Sequence, residues 1–184
     1  MTSVIADTHL RTRGLDPNAL AALAAGLLGA RAIWEGAARF DPVDRWPVRL
    51  LADDLFEAWV IGWCPGQSLG LHDHGDSAGA IVVADGRLHE TTLVPATTAT
   101  APARHETRPL ERGAVRRVPR RAVHGVANFE ARPATSLHVY SPPLARMTHF
   151  DADGVRAAQT VAVEPERPLL PAAVGELLRI ARRV

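Results

Sequence analysis

Apolar and polar positions change their spacing twice along this chain. After a polar start, LDPNALAALAAGLLGARAIWEGAARF is dense in Ala and Leu, with Asp16 in the N-cap position and Pro17 at a first helical position. The pattern predicts a helix over residues 17 to 39, with Gly26 or Gly29 as the place for a break. From Trp46 the texture becomes short apolar runs with alternation and Gly punctuation: VRLLA, LFEAWVIGW, GAIVVADGRLHETTLV, AVRRVPRRAVHGVANF and ATSLHVYSPPL all read as strands. Between them, residues 95–112 carry Pro, Thr and Ala without periodicity and predict a loop that includes His105. The chain closes on PAAVGELLRIARRV, a predicted amphipathic helix. Helix, many strands, helix is the order of a mainly β protein.

Composition narrows the field. At 184 residues the chain has room for one domain with a buried core, and neither a repeat nor a linker divides it. The expected divisions are an N-terminal tail and helices over 1–45, a strand region over 46–150 and an extension with a short helix over 151–184. A formal net charge of +1, with scattered arginines, supplies no field for nucleic acid or membrane, and a small polar ligand is the better expectation. The first residues lack a signal-like apolar core, and no run approaches the ~20 apolar residues of a membrane span, so a cytoplasmic protein is expected. A single cysteine, Cys64, rules out an internal disulfide and a thiolate cluster, which leaves histidine and carboxylate for any metal.

The densest chemistry lies in GQSLGLHDHGDSAGAIVVADG. On a strand, residues two apart share a face, so His72 and His74 point together while Asp73 points away. Alone, such a pair reads as two exposed strand histidines. Its flanks change that reading: Gly66, five residues, His72, one residue, His74 and finally Gly86 resemble the first cupin motif. Gly113, five residues, Pro119, four residues, His124, three residues and Asn128 resemble the second, with Arg121 where a second glycine is usual. The resemblance implies a cupin, a double-stranded β-helix (jelly-roll barrel), with a metal on His72, His74 and His124. The position where cupins often supply a carboxylate ligand is Gly79, which implies three neutral imidazoles and open positions for substrate and oxidant. Such a site leaves a divalent ion its full charge and favours an anionic, soft ligand such as a thiolate. Ligand type alone admits Zn(II) as well.

In ATSLHVYSPPL, Ser136, His138 and Tyr140 also fall at period two, on one strand face. By pattern alone this is an inward face that is half polar; aligned hydroxyl, imidazole and phenol groups are also the parts of a hydrogen-bonded relay. With HDHGDSAG upstream, the chain from about Arg49 to Asp151 resembles the bacterial-type cysteine dioxygenases, a thiol dioxygenase family of cupins. That resemblance implies Fe(II) on the three histidines, a Ser136–His138–Tyr140 relay beside the substrate, and Arg49 pairing with the substrate carboxylate through its two-pronged guanidinium. Animal members place at the Gly79 position a cysteine that crosslinks to the tyrosine, a bond this chain cannot form.

The expected activity is oxidation of L-cysteine by O2 to cysteine sulfinate by a protein acting as a monomer, with a homodimer as the alternative. Another small thiol such as 3-mercaptopropionate, or a non-catalytic metal- or ligand-binding cupin, are the rival readings. A zinc hydrolase ranks last, since no carboxylate is placed beside the histidines as a general base. Cys64, Trp34, Trp46, Trp59 and Trp63 read as packing residues, His9, His89 and His149 as surface or supporting residues, and Glu90 as a strand end reaching solvent or a local hydrogen bond.

Overall fold

Asp16 caps the first helix as its position predicts: its carboxylate accepts from the backbone N–H of Asn18 (2.8 Å) and Ala19 (3.2 Å), and Pro17, with no N–H to leave unpaired, takes the first helical position. The computed structural model describes residues 14–94, 104–153 and 155–162, with the side chains of 156–162 excepted. Helix α1 (Pro17–Gly29) stops at its terminal glycine. A short helix α2 (Arg31–Trp34) and a 3₁₀ turn (Glu35–Ala37) then lead off at 83°. The break therefore falls at Gly29 and not at Gly26. No single helix among the described residues is long and apolar enough to cross a membrane.

Eleven strands follow among the described residues: β1 (Trp46–Ala52), β2 (Glu57–Trp63), β3 (Ser68–Asp73), β4 (Ala78–Asp85), β5 (Leu88–Val94), β6 (Arg104–Leu110), β7 (Val115–Val118), β8 (His124–Ala127), β9 (Ala134–Ser141), β10 (Arg146–Phe150) and β11 (Arg156–Ala162). They form two antiparallel sheets, ordered β1-β2-β9-β4-β7 and β11-β10-β3-β8-β5-β6. The mainly β expectation holds.

Strands β2, β4 and β9 have both faces buried, because α1 covers one side of their sheet and the second sheet lies toward the other. Leu20, Leu23, Ala24 and Leu27, at helical spacing, pack with Ala58, Val60, Ala80, Val82, Leu137 and Val139. The small side chains of Ala80 and Ala84 let the Ala- and Leu-rich helix approach closely. The alternate positions Ile61, Trp63, Ile81 and Val83 point the other way and meet Leu88, Leu110, Val118 and Val126. Ser136, His138 and Tyr140 alternate with Leu137 and Val139, so β9 presents apolar groups to the helix and polar ones to the interior.

Two expectations need correction. Of the loop expected over 95–112, residues 104–110 form β6, which pairs with β5 along its whole length. It ends its sheet, and six of its seven residues, His105 among them, are exposed. With no buried face it carries no alternation, and Pro109 and the charged residues suit an edge. Strand β11 lies in a segment expected only as an extension with a helix. The C-terminal helix itself falls outside the described residues.

The motif positions are backbone requirements. Gly86 has φ +72°, and a Cβ there would lie 2.7 Å from the Pro133 carbonyl oxygen. Arg121, standing where glycine is usual, has φ +59°, a left-handed conformation that costs a side chain about 1–2 kcal/mol. Its guanidinium reaches Asp76 at 2.8 Å and its N–H donates to the Gly75 carbonyl at 3.2 Å, contacts that hold the turn.

Candidate metal centre and its cavity

His72 lies near the end of β3, His74 one residue past it, and His124 opens β8 directly opposite His72 in the register. Antiparallel partners have Cβ atoms about 4.5–5.5 Å apart, which is how two rings 52 positions apart in sequence come to face each other with centroids at 4.7 Å. His74 is carried in by a tight turn. Ser77 donates its N–H to the His74 carbonyl (3.1 Å), and Asp73, pointing away from the rings, accepts from the Gly75 N–H (3.0 Å).

All three imidazoles are buried, and one ligand atom from each lies within 4.8 Å of the others. The Nε2 atom of His74 is 3.2 Å from that of His72 and 3.5 Å from that of His124. The neighbours of the other ring nitrogens decide the tautomers of His72 and His124, while His74 Nδ1 is buried with no hydrogen-bond partner among the described residues. His72 Nδ1 lies 2.8 Å from the Gly70 carbonyl and His124 Nδ1 3.0 Å from the Glu90 carboxylate, and both must be N–H donors there. Each Nε2 is then a bare lone pair. Burial, reinforced by the neighbouring His124, pushes His72 down to about 3 and His74 well below the ordinary imidazole value, so both stay neutral. Three imidazole nitrogens at this spacing fit one divalent transition ion with bonds of about 2.1 Å.

Glu90 belongs to this centre and not to a strand end. It is buried on β5, accepts from His124 and pairs through its other oxygen with Arg116 Nε. Burial alone would raise its carboxyl; the His124 and Arg116 contacts outweigh that and hold it below the ordinary range. The link from carboxylate to ligand imidazole fixes the ring and its tautomer. The available signal was period two: Leu88 is inward, so Glu90 is too.

A second chain of polar groups runs along β9. Trp63 Nε1 donates to Ser136 Oγ (2.8 Å), Ser136 Oγ meets His138 Nε2 (2.8 Å), and His138 Nδ1 meets the Tyr140 hydroxyl (3.0 Å). Either order of protons leaves one hydroxyl proton over, and the order in which Ser136 gives its proton to Nε2 and Nδ1–H donates to the phenol oxygen puts that proton on Tyr140, which lines the cavity, and not on the fully buried Ser136. Reversing it would leave the Ser136 proton without an acceptor among the described residues. The favoured order leaves the Tyr140 proton free. Burial pushes His138 down to about 3 and the Tyr140 phenol up, so the imidazole stays neutral and the phenol keeps its proton. The Tyr140 ring stands edge-on to His74 with centroids 4.7 Å apart. Gly79 makes room for it, since a Cβ at Gly79 would lie 3.1 Å from the Tyr140 ring. Trp63, expected only to pack, thus anchors the relay.

Two of the three histidines and two members of the β9 chain face one cavity of about 210 Å³, lined by His72, His124, His138 and Tyr140 together with apolar groups such as Trp59, Ile61 and Leu144. The sequence model of cysteine dioxygenase type I matches residues 2–153. The chain belongs to the cysteine dioxygenase type I family. No curated protein matches the sequence. Among solved structures, TT1209 from Thermus thermophilus is 23% identical with a TM-score of 0.51, over 59% of this chain and 93% of that one. A protein with a double-stranded β-helix domain from Klebsiella pneumoniae is 17% identical with a TM-score of 0.52, over 62% and 86%. These likenesses bear on the fold alone, which is that of a cupin.

For a member of the cysteine dioxygenase type I family, Arg49 is placed unexpectedly. Its side chain is only 7% exposed, pairs with the buried Glu57 at 3.6 Å, lies over the Trp59 ring at 5.7 Å, and does not line the cavity. The structure thus brings together His72, His74, His124, Ser136, His138 and Tyr140 and leaves Arg49 engaged behind Trp59. Arg45, which the strand pattern did not single out, lines the cavity instead, and so does His149, opposite His72 on β10.

Proposed function

We propose that the protein is an Fe(II)-dependent thiol dioxygenase that converts L-cysteine and O2 to cysteine sulfinate. The observation that carries this reading is a buried cluster of three imidazoles, two of them on the wall of an apolar cavity, beside a phenol whose proton the Ser136–His138 chain leaves free. His72, His74 and His124 would hold the iron, and family membership favours that metal over zinc. Bound Fe(II) supplies the redox chemistry by which O2 and a thiolate combine. The reaction balances without a further reductant: RSH plus O2 gives RSO2H, with both oxygen atoms on sulfur and the substrate supplying all the electrons.

The chain's own residues position and shield. Neutral imidazoles leave the site cationic once loaded, which draws in a thiolate. Tyr140, kept protonated by burial, donates its hydrogen bond to a reacting oxygen or to the substrate's carboxylate, and His138, fixed from behind by Ser136 and Trp63, holds the phenol in place. Trp59, Ile61 and Leu144 keep bulk water from the reactants.

One observation keeps 3-mercaptopropionate as a second reading. Arg49, which as an arginine and not a glutamine at the carboxylate-binding position would favour cysteine, is engaged by Glu57. Oxygen uptake by iron-loaded protein, measured against both thiols with sulfinate quantified, tests the proposal. Higher turnover per concentration on L-cysteine is the expected result; preference for 3-mercaptopropionate transfers the assignment to that thiol, and no uptake with either rejects the activity.

A further inference from the structure

His149 is a further imidazole on the cavity wall, outside both the triad and the β9 chain. Strand β10 pairs with β3 so that His149 stands directly opposite His72, and the two rings have centroids 6.2 Å apart. Period two brings Met147 and His149 to the cavity together and leaves Thr148 off it. Acceptors are scarce on this wall. No carboxylate lines it, and Arg45 and the indoles of Trp59 and Trp63 only donate. His138 spends both nitrogens on Ser136 and Tyr140, and the Tyr140 oxygen already accepts from His138. In His72 and His124 Nδ1 is engaged, and Nε2 belongs to the proposed metal position. A neutral imidazole carries one N–H and one bare nitrogen. The half-buried His149 is the one lining imidazole whose nitrogens nothing among the described residues engages.

Resting on the thiol dioxygenase reading, we propose that His149 accepts a hydrogen bond from the amino group of the substrate, and that through it the site distinguishes aminothiols from thiols without an amine. A thiol held at the triad lies beside His72, and cross-strand partners such as His72 and His149 have Cβ atoms about 4.5–5.5 Å apart. An amino group on the second carbon from sulfur therefore stays close to the His149 ring. Amine or ammonium, that group brings N–H donors, which lose water on entering an apolar cavity and need an acceptor inside it. Tyr140 and Arg45 present protons, which an N–H cannot use. His149 and Tyr140 stand in opposite sheets, so their contacts fall on different sides of one small substrate. A thiol such as 3-mercaptopropionate has no N–H to give and gains nothing from a bare nitrogen there, so His149 bears directly on the choice between it and L-cysteine.

His149→Phe keeps a planar ring on the wall and removes both nitrogens, with His149→Leu in its place should it fold poorly; His149→Gln restores an acceptor. Oxygen uptake by the iron-loaded proteins is compared on L-cysteine, cysteamine and 3-mercaptopropionate at one pH, with iron content measured. The expected result for His149→Phe is a KM about 10-fold higher on the two aminothiols, as for one lost hydrogen bond, and changed less than about threefold on 3-mercaptopropionate, with iron content unchanged. His149→Gln should bring the aminothiols back to within about threefold of wild type. Equal change on all three thiols, no change on the aminothiols, loss of iron, or aminothiol KM values as high in His149→Gln as in His149→Phe would overturn the assignment. The comparison is a ratio between thiols within each protein, so it holds whichever thiol the wild type prefers. If the wild type consumes no O2 with any thiol, the dioxygenase reading fails by itself, and anaerobic calorimetric titration of iron-loaded protein with L-cysteine and 3-mercaptopropionate decides His149 separately. L-cysteine binding selectively weakened in His149→Phe then sustains the assignment; equal binding by the two proteins, or no L-cysteine binding by the wild type, ends it.

Discussion

Replacing Glu90 by Gln tests how far the proposed metal site depends on a residue outside the three histidines. The Glu90 carboxylate accepts from His124 Nδ1–H with one oxygen and from Arg116 with the other, at 3% exposure. An amide of the same shape has only one acceptor atom. If its oxygen stays on His124, its NH2 opposes the Arg116 guanidinium; if it turns to Arg116, its NH2 opposes Nδ1–H and drives His124 toward the tautomer that protonates Nε2, the ligand atom. Either way one charge-assisted hydrogen bond is lost, worth about 1.5–3 kcal/mol. That agrees with the roughly 10- to 100-fold fall in metal affinity expected when a ligand's carboxylate partner is removed. Competition with a chelator of known affinity measures the fall, and near-unchanged far-UV circular dichroism shows that the sheets remain. A Glu90→Gln protein whose metal affinity stays within about threefold of wild type would refute the link from carboxylate to imidazole to metal.

Tyr140→Phe keeps the ring against His74 and deletes the proton the relay leaves free; kcat should fall by about 100-fold with iron content unchanged, and an unaltered kcat would remove the phenol from the mechanism. Leu20→Ala empties a fully buried position beneath α1 and should cost about 2–5 kcal/mol in urea unfolding, with a loss near zero contradicting the packing of that helix. His72, His74 and His138 all have folded pKa values depressed by burial, to about 3 for His72 and His138. Their contribution is complete above the unfolded value near 6.5 and is lost as pH falls toward the folded one, by about 1.4 kcal/mol per pH unit for each histidine. Urea midpoints of metal-free protein should therefore drop steeply from pH 7.5 to 5.5, and a flat profile would contradict the buried neutral state.

Local patterns were readable in the chain and long-range facing was not. His72 and His74 are set by period two and a tight turn, and Ser136, His138 and Tyr140 by period two alone, so both groups could be read from spacing. Asp16, Pro17 and Gly29 mark α1 through backbone chemistry confined to a few residues. Glu90 and Trp63 act through partners on other strands, His124 at 34 and Ser136 at 73 positions' distance, and no window of sequence contains those pairs. Arg49 and Arg45 lie four positions apart in one short segment, and their difference is made by Glu57 on the neighbouring strand. Strand β6 was hidden for a different reason. Its pairing is satisfied through the backbone while its side chains face solvent, so hydrophobicity carries no trace of it.

The central claim is that both atoms of O2 are delivered to the sulfur of a small thiol at the His72, His74 and His124 site. Iron-loaded protein turned over on L-cysteine under ¹⁸O2, with the product analysed by mass spectrometry, tests it most directly. Cysteine sulfinate carrying two labelled oxygens, absent when His124→Ala replaces the wild type, is the predicted result. Sulfinate with one labelled oxygen or none, disulfide as the sole product, or full activity in His124→Ala would contradict it.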